Sequence, residues 1–446
     1  MSRTVGVLSL HNSKETKAIL NAVDELGHEP VWLRRENVQV AIEDGVTASP
    51  SVDVVANRLL LSSSEQPCEL LGLANTYLPL VPMLNRPEKV LTAFHKFATA
   101  AALAERDIRV PDAFLALDAD VLNANRTRFG EEAVYKTAIG THGGGTWKVG
   151  ADEQVNPMVG SRFAFLQSLL DQDPDARNRD LRVYIVDGDI VGAMYRYAPD
   201  EDWRTNVALG GDVEPADPVP DEAAAFALEA TDELGLDYAG VDLVEGTDGW
   251  YVLEVNPTAG FRGLFKATGV SPAPYIAKHA IEQAGGEVDE AAVERLAGTL
   301  DDSKPRGAPS GSSTSLDQAK VVGYTEDVVV SGTSGSERVL GKSDTGASRT
   351  SIDTRLAARI GAGPIKSMTK VKSGSVSSGK SRPVVDIVVG VGGDQHTVAA
   401  SLVDRSHMDY PLLLGRDILE NYQVDVTRRH DEAEGETEEE EVDTEE

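Results

Sequence analysis

The stretch Asp237-Tyr-Ala-Gly-Val-Asp-Leu-Val-Glu-Gly-Thr-Asp-Gly-Trp-Tyr-Val-Leu-Glu-Val-Asn256 decides how this chain folds. Two alternating runs, 240–246 and 250–256, flank Thr247-Asp248-Gly249, which reads as a three-residue hairpin loop with Gly249 in the left-handed position. In that register Gly246 faces Trp250 and Asp242 faces Glu254, while Glu254 and Asn256 point from one face of the second strand. Like charges opposite each other destabilise a sheet, so two facing carboxylates call for something positive between them. Two carboxylates and an amide oxygen are hard donors that suit magnesium or manganese; zinc would call for histidine or thiolate. Acids that merely face solvent are the alternative these residues leave open.

A chain of 446 residues is too long for one core and predicts two or three domains. It carries neither a run of eighteen apolar residues nor a basic-then-apolar leader, so a soluble cytoplasmic protein is expected. The single cysteine, Cys68, rules out an internal disulfide and a cysteine-held zinc cluster. The net charge is −31, and residues 431–446 hold eleven acids without Lys or Arg, which leaves −20 for the rest. Acidity spread this way repels nucleic acid and anionic membrane, so neither is expected as a partner, and it fits a halophile's cytoplasm.

Outward from the hairpin, residues 4–10 read as a strand, Ser13 as an N-cap, and Ala18, Ile19, Ala22, Val23 and Leu26 as a helix face, followed by strands at 31–33 and 52–56. Arg58 follows a strand end, where α/β sheets bind ligands, though a solvated arginine reads the same way. After Asn85-Arg-Pro-Glu88 one long helix carrying Lys89 and Lys96 is expected to run to about Arg106. Lys136 sits inside a strand, which its ammonium tolerates only with a partner, and the glycine-rich 140–145 loop after it can turn backbone N–H groups to phosphate or be a plain flexible turn. Residues 180–194 form a hairpin around Asp187-Gly188; Arg182, Arg196 and Arg204 gather near it, where they serve anions or surface salt bridges. A helix is expected over 220–234, and a last one over 274–283.

Together these pieces resemble the ATP-grasp ligases, and within them the RimK-like glutamate ligases. The likeness rests on Leu234-Gly-Leu-Asp-Tyr-Ala-Gly-Val-Asp242 with Leu253-Glu-Val-Asn256, on Asp180-Leu-Arg-Val183 with Trp203-Arg-Thr-Asn206, and on Lys96 fifteen residues before Pro111. It departs at Asn256-Pro257, where the family has Asn-Ala or Asn-Ser, and at His142 with an extra glycine in the loop. The resemblance implies ATP and Mg2+ (or Mn2+) as cofactors, with Asp242, Glu254 and Asn256 on the metal. It implies Lys96, Lys136, Gly143, Gly144, Gly145, Gln167, Leu169 and Arg182 on the nucleotide, Arg196 and Arg204 at the acyl phosphate, and Arg58, Arg196 and Asn206 on substrate. The implied reaction joins glutamate, or a similar amino acid, to a carboxylate acceptor, either a protein carboxyl terminus or a small molecule, through an acyl phosphate.

Beyond a Pro-, Gly- and Ser-rich segment at 301–320 the pattern changes to short strands, at 324–330, 337–342, 383–389, 395–403 and 410–414, implying a small barrel. Gly341-Lys-Ser-Asp-Thr-Gly-Ala-Ser348 and Pro411-Leu-Leu-Leu-Gly-Arg-Asp-Ile-Leu419 resemble the retropepsin-like domain found beside RimK-type ligases. There Asp344 would be half of a two-chain aspartic site; a barrel that only dimerises or docks substrate is the alternative, and Asp353 stands where that family often has histidine. The expected architecture is an α/β ATP-grasp fold (α+β, with an N-terminal α/β domain) followed by an all-β retropepsin-like barrel, in a homo-oligomer. Its boundaries are 1–85, 86–290, a linker at 300–320, 321–429, and a disordered acidic tail at 430–446.

Overall fold

Parallel strands joined by a helix open the chain. β1 (Thr4–Leu8) leads into α1 (Lys14–Glu25), capped by the Ser13 side chain on the Thr16 N–H, and then into β2 (Glu29–Leu33). An exposed hairpin, β3 (Gln39–Glu43) with β4 (Gly45–Ser49), precedes β5 (Val54–Asn57), α2 (Pro67–Asn75) and β6 (Met83–Leu84). The sheet order is β2-β1-β5-β6, all parallel, so the residues after β1 and β5 lie along one edge, where such sheets bind ligands. The computed structural model describes residues 2–61, 67–140, 145–159, 162–170, 177–198, 205, 212–306, 320–363, 365, 367–371, 380–420 and 422–430. It divides into two units, Met1–Gly311 and Ser312–Glu446.

The single long helix expected after Asn85 is instead two, α3 (Pro87–Phe94) and α4 (Lys96–Ala104). His95 breaks it: its backbone is extended, and its ring Nδ1 accepts the Ala98 N–H at 3.1 Å, which caps α4. Lys96 thereby becomes the first residue of α4, with its N–H bonded to the Ala138 carbonyl at 2.8 Å. Propensity favoured one continuous helix over the alanine-rich run; a capping ring and a tertiary hydrogen bond overrode it.

Next come β7 (Ala113–Phe114), α5 (Ala119–Ala124), β8 (Glu132–Thr137), β9 (Thr146–Gly150), β10 (Met158–Val159) and β11 (Arg162–Ser168). They form a sheet of order β10-β11-β8-β9 with β7 against β11. One face buries Leu122, Ala133, Val149, Ala164 and Leu166; the alternating positions Lys136, Phe165 and Gln167 face the other way.

A second antiparallel sheet, order β14-β13-β12-β15-β16, is built from β12 (Arg179–Val186), β13 (Asp189–Tyr197), β14 (Val213–Pro215), β15 (Tyr238–Gly246) and β16 (Gly249–Asn256). α6 (Asp221–Glu233) packs Ala223, Ala227 and Ala230 into the same core as Leu181, Val241 and Val252, and that core continues to Leu8, Leu33 and Val55 of the first sheet. α7 (Arg262–Thr268) and α8 (Ala273–Gln283) follow, and α9 (Glu290–Ala297) extends the helices one beyond the expected last. Asn85 locks the two sheets together from a left-handed backbone (φ 54°), which asparagine tolerates. Its Oδ1 accepts the Asp237 N–H at 2.8 Å, and its Nδ2 donates to the carbonyls of Tyr238 and Pro257 at 2.8 and 3.0 Å.

In the second unit β17 (Val321–Gly323) pairs with β25 (Gln423–Asp425). β18 (Thr325–Ser331), β19 (Ser336–Ser343), β20 (Ser351–Asp353), β22 (Lys380–Val391), β23 (Asp394–Val403) and β24 (Leu412–Leu414) close a six-stranded barrel in the order β18-β19-β24-β20-β23-β22, back to β18. β21 (Ser367–Val371) extends it, and α10 (Thr354–Ile360) and α11 (Arg416–Leu419) cover it. Val328, Val330, Ile352, Ile387, Val389 and Leu412 fill the interior. Four strands were not expected: three-residue β17, β20 and β25 and serine-flanked β21 lack an alternating apolar signal, and pairing alone makes them strands. No helix among the described residues is long and apolar enough to cross a membrane.

Candidate active site

The decisive hairpin differs from its expected form in a way that preserves its consequence. Gly246 pairs with Gly249, not Trp250, so the loop is the two residues Thr247-Asp248 and the register is shifted by one. A β-bulge between Asp242 and Leu243 then shifts it back, and Asp242 does face Glu254. Gly240 is required nearby: a Cβ there would lie 2.6 Å from the Ala259 Cβ, where the chain leaving β16 folds back on β15.

Across the sheet the charges alternate. Arg182 on β12 is directly opposite Asp242, and Arg196 on β13 directly opposite Asp180. Arg182 grips Asp242 with Nε on Oδ1 and Nη2 on Oδ2, the latter at 2.6 Å. Arg196 binds both oxygens of Asp180 at 2.6 Å and reaches Asp242 Oδ2 at 2.9 Å. Lys96 pairs with Glu254 Oε2, and Asn256 Nδ2 lies 3.4 Å from Glu254 Oε1, leaving the Asn256 amide oxygen free to face a cation. The positive charge demanded by the facing acids is thus supplied by arginine on one side and lysine on the other.

These neighbours set the ionisation. Burial alone would raise the Asp242 carboxyl, but Arg182 and Arg196 hold it well below the usual carboxylate range. Burial prevails at Asp180, which is raised despite Arg196. Lys136 is 7% exposed, and no ion pair to it occurs among the described residues; the Phe165 ring lies 5.6 Å from its Nζ to the centroid. Burial, with Lys96 adding repulsion and Glu254 opposing it, lowers Lys136 to about 7. A buried lysine without an anion is costly and is ordinarily avoided.

All of this lines one cavity of about 970 Å³. Arg58, Lys96, Lys136, Gly145, Gln167, Leu169, Arg182, Arg196, Asp242, Glu254 and Asn256 lie on its wall. Gly143, Gly144, Arg204 and Asn206 lie outside the described residues, as do 307–319 of the linker and the tail 431–446. Arg58 is no solvated arginine: it is 3% exposed, with Nη1 3.5 Å from the Ala259 carbonyl. Sequence reasoning missed Asp180, Lys148, His11 and Glu15, which also line the cavity. Lys148 is opposite Val134 on β9, hence on the face of Lys136, a placement its alternation with Trp147 foreshadowed.

Hard oxygen donors and a facing carboxylate pair fit a magnesium ion. Among the described residues Asp242 Oδ1 accepts one hydrogen bond, from Arg182 Nε, which leaves it a lone pair for a cation while Arg182 stays in place. An anion brought against Lys136 would restore its proton. Calorimetry of nucleotide binding at pH 8 in buffers of differing ionisation enthalpy should therefore show proton uptake approaching one per site, absent in Lys136→Met.

In the barrel Asp344 is partly exposed; its Oδ1 accepts the N–H groups of Gly346 and Ala347 at 2.9 and 3.1 Å. Asp417 holds the following turn through the Thr350 N–H and hydroxyl. Asp353 has a structural role as the N-cap of α10, accepting the N–H groups of Arg355, Leu356 and Arg405.

Both units of the chain are similar to known proteins. The RimK-like ATP-grasp domain matches residues 93–280, and the retropepsin-like aspartic endopeptidase RimB matches residues 362–433. The chain is 32% identical over 209 residues to the tetrahydromethanopterin:α-L-glutamate ligase of Methanocaldococcus jannaschii, spanning 45% of this chain and 71% of that protein. It is 30% identical over 235 residues to a probable α-L-glutamate ligase of Haemophilus influenzae, 51% of this chain and 76% of that one. The ATP-grasp ligase PsnB in complex with a minimal precursor shares the fold, with a TM-score of 0.51 at 19% identity over 64% of this chain and all of PsnB. The chain belongs to the RimK-like ATP-grasp ligases and carries a RimB-like retropepsin-like barrel behind the ligase fold.

Proposed function

We propose that the protein is an ATP- and magnesium-dependent ligase that joins glutamate to the carboxyl end of a peptide. The observation carrying this reading is Lys136: a buried ammonium with no ion pair among the described residues, beside facing carboxylates, has no structural use until an anion such as a nucleotide phosphate arrives. Lys96 and Lys136 would bind the phosphates, and Asp242, Glu254 and Asn256 would hold the ion. The bound ion supplies charge neutralisation at the transferring phosphoryl group. The acceptor carboxylate attacks the γ-phosphorus to give an acyl phosphate, and the amine of glutamate then displaces phosphate. Arg196, fixed by two bonds to Asp180, would stabilise the oxyanion that forms at the acyl carbon.

Glutamate is supported by the names of the relatives above, one of which acts on a pterin cofactor. A peptide acceptor is favoured by the barrel, because a peptidase-like domain on the same chain matches a product that contains peptide bonds. The test is phosphate release with ATP, Mg2+, glutamate and a synthetic peptide ending in Glu-Glu, followed by mass spectrometry. Release should need both glutamate and peptide, with the peptide gaining one glutamyl residue per step; turnover with tetrahydromethanopterin alone would transfer the reading to a small-molecule acceptor. Asp344→Asn should leave this reaction intact, and if the barrel trims the product, should abolish shortening of the glutamyl tail.

A further inference from the structure

The β1–α1 loop and the end of β5 contribute to the cavity a corner that the nucleotide and metal residues leave unused. His11, Glu15 and Arg58 line it, Arg58 against the Ala259 carbonyl and Glu15 against Gly260, with both charges close enough to act on His11. Arg58 is almost wholly buried, and its Nε has no hydrogen-bond partner among the described residues, an uncompensated donor on a cation that lines a cavity. Glu15 is held by Ser13 Oγ at 2.9 Å, and its Oε1 lies 3.2 Å from where a Cβ on Gly260 would stand. The Gly260 carbonyl is in turn held by the Tyr184 hydroxyl on β12, two residues from Arg182, which ties this corner to the charged hairpin. On His11, Nδ1 lies 3.2 Å from the buried Ser9 hydroxyl; Nε2 has no hydrogen bond to the described residues.

Cation, carboxylate and imidazole in one corner match the two charges of an α-amino acid and the proton it must lose. We propose that this corner is the amino-acid subsite: Arg58 binds the α-carboxylate, Glu15 orients the ammonium, and His11 Nε2 is the base that makes the amine nucleophilic. The proposal rests on the acyl-phosphate reading above. In the step, His11 takes one proton from the ammonium and the freed lone pair forms the C–N bond at the acyl carbon. The C–O bond to phosphorus breaks with its electron pair on phosphate, and the second nitrogen proton leaves on that phosphate. His11 is suited to accept: burial first, then Arg58 and Arg34, outweigh Glu15 and keep the imidazole below its ordinary value, hence neutral at pH 7.

Hydroxylamine, an uncharged nucleophile at neutral pH, separates this role from a structural one, because it attacks an acyl phosphate without a base. With ATP, Mg2+ and a peptide ending in Glu-Glu, wild type should yield hydroxamate from hydroxylamine and ligated product from glutamate. His11→Gln and His11→Asn should lower kcat for glutamate by about 10²-fold and remove the acid limb of its pH profile, while hydroxamate forms at the wild-type rate. Glu15→Gln should raise KM for glutamate without altering hydroxamate formation. Equal slowing of both nucleophiles in both His11 variants overturns the proposal. Hydroxamate absent in wild type overturns the acyl-phosphate reading itself, and the subsite with it.

Discussion

Lys136→Met is expected to melt higher than the parent at pH 7 while phosphoryl transfer falls by roughly 10²–10³-fold. The two effects have one cause. Burial brings the Lys136 ammonium to about 7 in the folded chain, against about 10.4 in an unfolded one. The folded protein therefore binds fewer protons between those values, so wild-type stability rises with pH through that window. Below pH 7 the lysine is charged in both states and its full cost, roughly 5 kcal/mol at the limit, burdens the fold. Methionine matches the shape without the charge, and exchanging an uncompensated buried charge for an apolar group is commonly stabilising. The gain should be greatest below pH 7 and fade as pH approaches 10. A lower melting temperature at pH 6 would mean that the ammonium already has an anion, and would overturn the proposed phosphate role of Lys136.

Glu254→Gln and Asp242→Asn should both lower ATP-dependent ligation by at least about 10²-fold, yet differ sharply in stability. Glu254 is partly exposed in its pair with Lys96, at 28% and 16%, so its loss should cost under about 1 kcal/mol. Asp242 is 5% exposed and neutralises two arginines, so its loss leaves buried cations facing each other and should cost roughly 3–5 kcal/mol. The sign with pH follows from the depressed Asp242 carboxyl: its contribution is present above the usual carboxylate range and is lost as pH falls below it. Asp180, raised, works in the opposite sense and shallows that loss. Urea titrations of both variants at pH 7, paired with phosphate release, check the contrast; equal destabilisation would show that Asp242 is not the buried hub.

The pairing of Asp242 with Glu254 was legible because side chains alternate along strands whatever the loop. The loop was misjudged by one residue and rescued by a bulge, which no local pattern announces because both registers satisfy alternation. The helix break at His95 was illegible for a similar reason: alanine-rich sequence supports either outcome, and the Ala138 carbonyl that receives the Lys96 N–H lies just past the end of β8, distant in sequence. Asp180 stood in plain view in Asp180-Leu-Arg182, but its task depends on which residue of β13 lies opposite.

Residue type and spacing along the chain were enough to determine the ligase fold, the barrel behind it and the carboxylate-amide set on one hairpin, because strand periodicity and hard-donor chemistry are local properties. The ion partners of those carboxylates, the burial of Lys136 and the corner formed by His11, Glu15 and Arg58 were decided only in three dimensions. Each depends on strands and loops distant in sequence meeting at one cavity, and on the low dielectric that burial creates there.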